Sequence, residues 1–211
     1  MTRTSEHRGQ TRVVVPSAQP MYAAAARWRD EALIGDRSLF SGQPINGLAA
    51  AQELTRDFIE SPDATARDFL SKLRDQLAGS SADAVQVAAE LLYVHTLIVV
   101  SYAFKSKNKV ELVNKVAAIR DSGTSPIPED LLGALKGGVV QPGQAYASYR
   151  WKMFAYLIRV FEAIKEIPVA DREATLTNWE QFQVVLSGID DQSVWAQRYA
   201  LEHLLFPDIA P

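Results

Sequence analysis

One segment of the chain, residues 91–104, limits what the sequence can fold into more than any other. From Leu91 to Val100 the residues are apolar nearly all round a helix, apart from Tyr93, His95 and Thr96. A helix without a polar face has to be covered by protein on every side, and this run is too short to span a bilayer. We therefore predict a helix over about 81–104 that lies buried at the centre of the fold.

The remaining segments have the same helical periodicity, with apolar residues three or four positions apart and clusters of Gly, Pro and Ser between them. We predict an all-α fold of about nine helices, in one globular domain over residues 21–211 that follows a flexible tail over residues 1–20. The loop at 122–128 is the only candidate joint between two smaller units, and we favour a single domain. The predicted helices cover about 21–34, 46–60, 64–78, 81–104, 105–121, 128–137, 146–167, 178–186 and 190–206, with N-caps at Asn46, Ser81, Asn178 and either Asp190 or Asp191.

Composition excludes several classes of site. The 211 residues contain no cysteine, which excludes disulfides, thiolate metal sites and cysteine nucleophiles. Three histidines, at positions 7, 95 and 203, lack the spacing of metal ligands, so we expect no metal and no cofactor. The first twenty residues lack the apolar core of a secretory signal. We expect a cytoplasmic protein without a membrane partner.

Motifs of catalysis and nucleotide binding do not occur in the sequence. The nearest approach to a phosphate-binding loop is the stretch GALKGG at 133–138, which lacks the required spacing and the following Ser or Thr. We expect this stretch to end a helix. On this basis we predict that the chain is not an enzyme.

The sharpest charge feature is a run of basic residues after the apolar helix. Within this run, Glu111 is the only acid before Asp121, although the whole chain has a formal net charge of −3. One interpretation is a surface that contacts phosphates, which adds salt-dependent affinity without sequence information. The alternative is a solvated start of a helix. The candidate nucleic-acid-binding residues are Lys105, Lys107, Lys109, Lys115 and Arg120.

Several aromatic residues lie near this basic run or beside predicted turns. Aromatic rings at such places are able to stack on bases or to hold an extruded base, but rings at helical spacing also form the core. Both interpretations stay open for Tyr102, Phe104, Tyr146, Tyr149 and Trp151.

Two titratable residues, Glu90 and His95, fall on the predicted buried helix. A buried carboxylate has to be paired or protonated, and we expect Glu90 to pair with an arginine, for which Arg198 is one candidate. We expect His95, and likewise His203, to be hydrogen-bonded in the core. The alternative is a catalytic centre, which requires a pocket that joins Glu90 or His95 to solvent.

Five stretches of the chain carry a resemblance to a known family. They are DRSLF at 36–40, DFLSKLRDQL at 68–77, AELLY at 89–93, NWEQF at 178–182 and RYALEHLLFPD at 198–208. In this order and spacing they resemble the helical amino-terminal region of a subset of McrB-like AAA-family proteins, which belong to modification-dependent restriction systems. The chain departs from those relatives at Arg37, where they tend to have Gly, and at Ile45, near which they often have Trp.

The resemblance implies a domain that recognises modified or foreign DNA and delivers it to an AAA-type motor and a nuclease subunit. The nucleotide-binding motifs of that motor do not occur in this chain. We therefore hypothesise a recognition domain of an antiviral restriction system that lacks the motor and contacts phosphates through the Lys105–Arg120 helix. The alternative, favoured by the acidic balance, is a protein-interaction or oligomerisation scaffold without DNA contact.

Overall fold

A computed structural model describes residues 18–100, 103–141, 148–190 and 192–210. In these ranges the chain forms ten α-helices and no β-strand, which confirms the predicted all-α class and lies close to the predicted number of helices. The helices are α1 (Gln19–Trp28), α2 (Gly47–Leu54), α3 (Phe69–Leu77), α4 (Ala82–Leu97), α5 (Ser106–Ala117), α6 (Glu129–Leu132), α7 (Arg150–Glu166), α8 (Val169–Thr177), α9 (Trp179–Ser187) and α10 (Trp195–Leu205).

Two of these helices continue at their C-terminal ends into a π-helical turn, and a third continues into a 3-10 turn. A π-helical turn over Arg29–Ile34 continues α1, and another over Thr55–Ile59 continues α2, so that the predicted lengths of the first two helices hold. A 3-10 turn over Gly133–Lys136 follows α6 and ends where the sequence predicts a helix end. Most of the predicted tail lies outside the described residues, and α1 begins within its last residues, at Gln19.

Side-chain oxygens cap three helices where the sequence predicts caps. The oxygens of Asn46, Ser81 and Asn178 accept hydrogen bonds from backbone N–H groups in the first turns of α2, α4 and α9. Each such bond satisfies a donor that the helix itself leaves unpaired. The predicted cap at Asp190 is wrong, because this carboxylate accepts from the Gln192 N–H in a turn and α10 begins later. The other predicted cap, Asp191, lies outside the described residues.

The helix α4 lies at the centre of the fold, as predicted, but it ends at Leu97 and not near residue 104. Fourteen of its sixteen residues are buried, and α2, α5 and α7 pack around it. One helix, α8, is absent from the sequence prediction. Its buried residues are Arg172, Thr175 and Leu176, so that it has no apolar stripe by which to recognise it.

A buried ionic cluster joins the chain after α1 to α7 and α8. The Asp36 carboxylate accepts from Lys165 Nζ at 2.7 Å and from Arg172 Nη1 at 2.9 Å. The side chains of both cations are almost fully buried, at 0 % and 6 % exposure. Partial burial acts to raise the pKa of Asp36, but the hydrogen bonds and charges of Lys165 and Arg172 outweigh it and lower this pKa.

Close packing around the cluster depends on two backbone features. Asp36 has a φ of 48°, in the left-handed region that Asp and Asn tolerate better than most residues. A Cβ added at Gly47 would lie 2.8 Å from Cε of Lys165, so that a larger residue there has to displace the buried lysine chain. The cluster therefore holds three segments in one fixed arrangement.

We expect Asp36→Asn to lower the free energy of unfolding by about 3 kcal/mol. This value is the lower end of the range for removing one partner of a buried ion pair, because Asp36 itself is partly exposed. Asn keeps the left-handed backbone accessible, but it leaves Lys165 and Arg172 without a counter-charge. Urea denaturation measures the change. The matched control is Asp30→Asn, which removes the surface pair with Arg29 and costs less than about 1 kcal/mol. Equal losses in the two variants would contradict the role given to the cluster.

Candidate functional site

The fold divides the five basic residues that the sequence predicts as a phosphate-contacting surface. Lys105 and Lys107 are exposed at the start of α5, and no ion pair is found for either within the described ranges. Lys115 pairs with Glu111 at 2.6 Å, and Arg120 donates to the Ser80 carbonyl oxygen at 2.6 Å. Two cations without an ion pair thus remain exposed at the start of α5.

The fifth residue, Lys109, lies in the interior, so the prediction that it contacts phosphates needs correction. Its side chain has no solvent exposure, and its ammonium donates to the carbonyl oxygens of Val99 and Leu135. Burial lowers the pKa of Lys109 to about 8. The sequence contains a signal for this position, since Lys109 stands on the helix face of the buried residues Leu112, Val113 and Val116.

We expect Lys109→Met to change how stability depends on pH. Because the folded chain holds this proton less tightly than the unfolded chain, wild-type stability relative to the variant rises as the pH increases from about 8 to 10.5. The rise amounts to about 1.4 kcal/mol for each unit by which the two pKa values differ. Urea denaturation of both proteins at steps across this range measures the difference. A difference that stays flat would show that the ammonium is solvated in the folded protein.

A groove of about 840 Å³ opens on the surface formed by the described residues. Three segments form its walls: the loop before α3 together with α3, the first half of α7, and the turn before α10. Residues 152, 155, 156 and 159 line it from one face of α7, as their spacing of three and four requires. The opposite face of α7 carries core residues, namely Met153, Phe154, Leu157 and Phe161.

Local hydrogen bonds hold the wall that precedes α3. The Asp68 carboxylate caps α3 by accepting from the N–H groups of Leu70 and Ser71. Gln76 Nε2 donates to the Ser61 carbonyl oxygen at 2.7 Å, which ties the loop back to the helix. The wall therefore keeps a defined shape although it is largely loop.

Five of the residues that line the groove are cationic and two are acidic. Arg67 is engaged by its neighbours, since it pairs with Asp63 at 2.5 Å and with Asp75. Hydrogen bonds from the Thr65 hydroxyl and N–H, followed by Arg67, lower the pKa of Asp63 to about 2. The cations are Arg67, Lys72, Arg150, Lys152 and Arg159, and the acids are Asp63 and Asp190.

The other four cations differ in how far their neighbours engage them. Lys72 gives one N–H to the Asp63 carbonyl oxygen at 2.9 Å, and the guanidinium of Arg150 lies 5.7 Å from the centre of the Phe69 ring. Lys152 and Arg159 form no ion pair within the part of the chain that the structure describes. Glu162, three residues after Arg159, instead accepts from the Thr55 hydroxyl at 2.5 Å. The groove thus presents positive charge that its own acids do not neutralise.

Two of the aromatic residues considered for base stacking stand at the groove or directly beside it. Trp151 lines the groove and is 51 % exposed, and Tyr149 next to α7 is 47 % exposed. Lys152 Nζ lies 5.5 Å from the centres of both rings. Phe104 is partly buried with Arg150 over its ring, and Tyr102 and Tyr146 lie outside the described residues.

The two buried titratable residues on α4, Glu90 and His95, do not line this groove. Oε1 of Glu90 accepts from the Ser38 hydroxyl at 2.6 Å, from Gln86 Nε2 at 3.0 Å and from the Phe40 N–H. The predicted pairing with Arg198 is therefore wrong, and Arg198 pairs with Glu202 on its own helix at 3.0 Å. Burial raises the pKa of Glu90, and the hydrogen bonds from Ser38, Gln86 and the backbone oppose this effect without outweighing it.

The prediction that His95 and His203 are hydrogen-bonded is confirmed. His95 is buried and its Nδ1 lies 2.6 Å from Oε1 of Gln197, while the partly buried His203 has Nε2 at 2.8 Å from the Tyr22 hydroxyl. Burial lowers the pKa of His95 to about 4, which keeps its ring neutral near pH 7. Neither His95 nor Glu90 lines the groove.

Two further kinds of site are absent from the described residues. In these residues, no group of three or more His, Asp or Glu is placed to hold a metal ion. A helix able to cross a membrane is absent from them as well, because none combines the required length with the required apolar character.

Comparison of the chain with protein-family profiles, with curated proteins and with solved structures finds no match. The resemblance to McrB-like proteins therefore depends on the five stretches quoted above and stays a prediction.

Proposed function

We propose that the chain is the target-recognition domain of a McrB-like AAA-family protein in an anti-phage restriction system, and that it binds DNA in the groove between α3 and α7. One observation carries the proposal of DNA binding: cations that the groove's own acids do not neutralise stand beside the exposed ring of Trp151 in a single concave site, with the exposed ring of Tyr149 next to it. Cations supply phosphate contacts, and rings supply stacking surfaces for bases. The resemblance suggests the system, in which modified or foreign DNA passes to a motor and a nuclease.

The groove is a better candidate for DNA contact than the start of α5. Lys105 and Lys107 are exposed there, but within the described ranges neither has an ion pair or lies over an aromatic ring, and the ring of the adjacent Phe104 is partly buried with Arg150 over it. In the groove, Lys152 and Arg159 likewise have no ion pair among the described residues, and Lys72 donates one of its three N–H groups to a backbone carbonyl oxygen. The groove therefore combines more available charge with stacking surfaces.

We expect the double variant Lys152→Glu plus Arg159→Glu to lose most DNA binding in a fluorescence-polarisation titration across a salt series. Each phosphate that the variant no longer binds makes the slope of log K against log salt shallower by about 0.7 to 0.9. The matched control is Lys105→Glu plus Lys107→Glu, which alters the net charge of −3 by the same amount.

The two double variants also separate the competing sites. Loss of binding in the control alone would place the site at the start of α5 and refute the groove. Equal weakening in both would show that overall charge, not a site, determines binding. If the wild-type chain binds no modified or unmodified DNA even at low salt, the proposed function fails.

A second candidate function is a protein-interaction or oligomerisation scaffold, and one observation favours it. Trp195 and Tyr199, one helical turn apart on α10, are 63 % and 54 % exposed, with ring centres 6.0 Å apart. Large exposed aromatic pairs are typical of protein interfaces. This pair stands on the helix that follows the third wall of the groove.

If the scaffold function applies, we expect the wild-type chain to self-associate as its concentration rises, and Trp195→Ser plus Tyr199→Ser to stay monomeric. Light scattering over a concentration series measures both. Trp151→Ser is the matched control, because it removes an indole of similar exposure from a different helix. A wild-type chain that stays monomeric throughout would contradict oligomerisation through this pair.

A further inference from the structure

Two exposed aromatic rings stand at the start of α7, one in the groove and one directly beside it. Trp151 lines the groove with about half its surface exposed, and Tyr149 beside it is similarly exposed. Most large aromatic side chains of this fold are buried, including Trp28, Tyr93, Phe154 and Phe182. Exposed rings in a concave site can gain free energy by stacking against a flat ligand such as a nucleobase.

The ammonium of Lys152 couples these rings to a charge site. Its Nζ lies 5.5 Å from both ring centres and has no carboxylate partner among the described residues. Arg159 lies on the same face of α7, about 10 Å further along the helix axis. A nucleotide stacked on Trp151 thus has one cation beside its sugar–phosphate and a second cation further along the groove.

The size of the groove favours unpaired nucleotides over a duplex. Its volume of about 840 Å³ lies in the range of clefts that enclose a small ligand, about 300 to 1,000 Å³. A duplex is a wide convex cylinder that touches only the rim of such a cleft, and its base faces are covered by their neighbours. The Trp151 ring in the groove therefore has no stacking partner in an intact duplex.

We infer that the groove binds an unpaired stretch of a single strand, with bases stacked on Trp151 and Tyr149 and phosphates on Lys152, Arg159 and Lys72. This inference rests on the proposed function and names the form of nucleic acid that the site takes. Every base has a flat face, so this mode of binding tolerates many sequences. The strand follows the face of α7 from the rings toward Arg159.

Two carboxylates stand in the same groove and define where the strand does not run. Asp63 is engaged by Arg67 and by Thr65. Asp190, on the third wall, is exposed, and within the described part of the chain it accepts a backbone N–H and pairs with no cation. A phosphate avoids Asp190, and Asp190→Asn is expected to tighten strand binding a few-fold, with the largest effect at low salt.

The test compares four probes by fluorescence polarisation: a thymidine single strand of about a dozen nucleotides, the matching duplex, an abasic strand of equal length, and free thymidine monophosphate. We expect the single strand to bind at least about tenfold more tightly than the duplex, the abasic strand and the monophosphate. Trp151→Ala weakens the single strand about tenfold and leaves the abasic strand unchanged. The matched control Trp195→Ala leaves both unchanged.

Intrinsic fluorescence provides a second readout that does not depend on affinity. Of the four tryptophans, Trp28 is buried and Trp179 is partly buried, so Trp151 and Trp195 are the two exposed ones. We expect the single strand to quench the wild type and Trp195→Phe, but not Trp151→Phe. Quenching that persists in Trp151→Phe would overturn the stacking assignment even if this variant binds normally.

The outcomes separate the inference from the proposed function. Equal binding of duplex and single strand, with no effect of Trp151→Ala, refutes the inference and leaves DNA recognition in place. Binding of the abasic strand as tightly as the thymidine strand also refutes it, because charge alone then accounts for the affinity. No binding of any probe at low salt refutes both.

Discussion

Burial of α4 on all sides is the constraint on which the rest of the structure depends. Because fourteen of its sixteen residues are buried, each polar side chain on it needs a partner from another element or from its own helix. These partners come from distant parts of the chain and so fix the positions of the surrounding segments. The pairs that cross between elements include Glu90 with Ser38, Tyr93 with the Leu131 carbonyl oxygen, His95 with Gln197, and Gln86 with the Ser125 N–H.

Features that depend on local pattern could be predicted from the sequence, and features that depend on distant partners could not. The apolar run identifies α4, and the caps at Asn46 and Asn178 follow from residue type and position. One partner of Glu90, the Ser38 hydroxyl, lies 52 positions away in sequence, and no periodicity indicates it. Burial of Lys109 was recognisable from its helix face, but its charge suggested a surface residue.

The groove, too, could not be predicted from the sequence, because it depends on segments that are distant in the chain. Its walls come from about residues 58–76, from 148–159, and from 190 and 192–194, which only the tertiary fold brings together. The sequence indicated Tyr149 and Trp151 as stacking candidates because of their place near a turn. It did not indicate Lys152 and Arg159, since isolated cations on an amphipathic helix are usual on a solvated face. The prediction of phosphate contacts was placed instead on the dense basic run from Lys105 to Arg120. In the structure only Lys105 and Lys107 of that run are exposed without an ion pair among the described residues.

The acidic net charge of the chain is compatible with a phosphate-binding groove. At physiological salt, charges act over about 8 Å, so a phosphate in the groove interacts with the lining cations and much less with the total of −3. Three available cations on a single strand correspond to a log–log salt slope of only about −2. Charge alone therefore gives one domain weak affinity, and stacking has to supply the remainder at about 1 to 3 kcal/mol per base. In the proposed system, weak and reversible binding in the groove would suit delivery, because the domain has to release the nucleic acid to the motor.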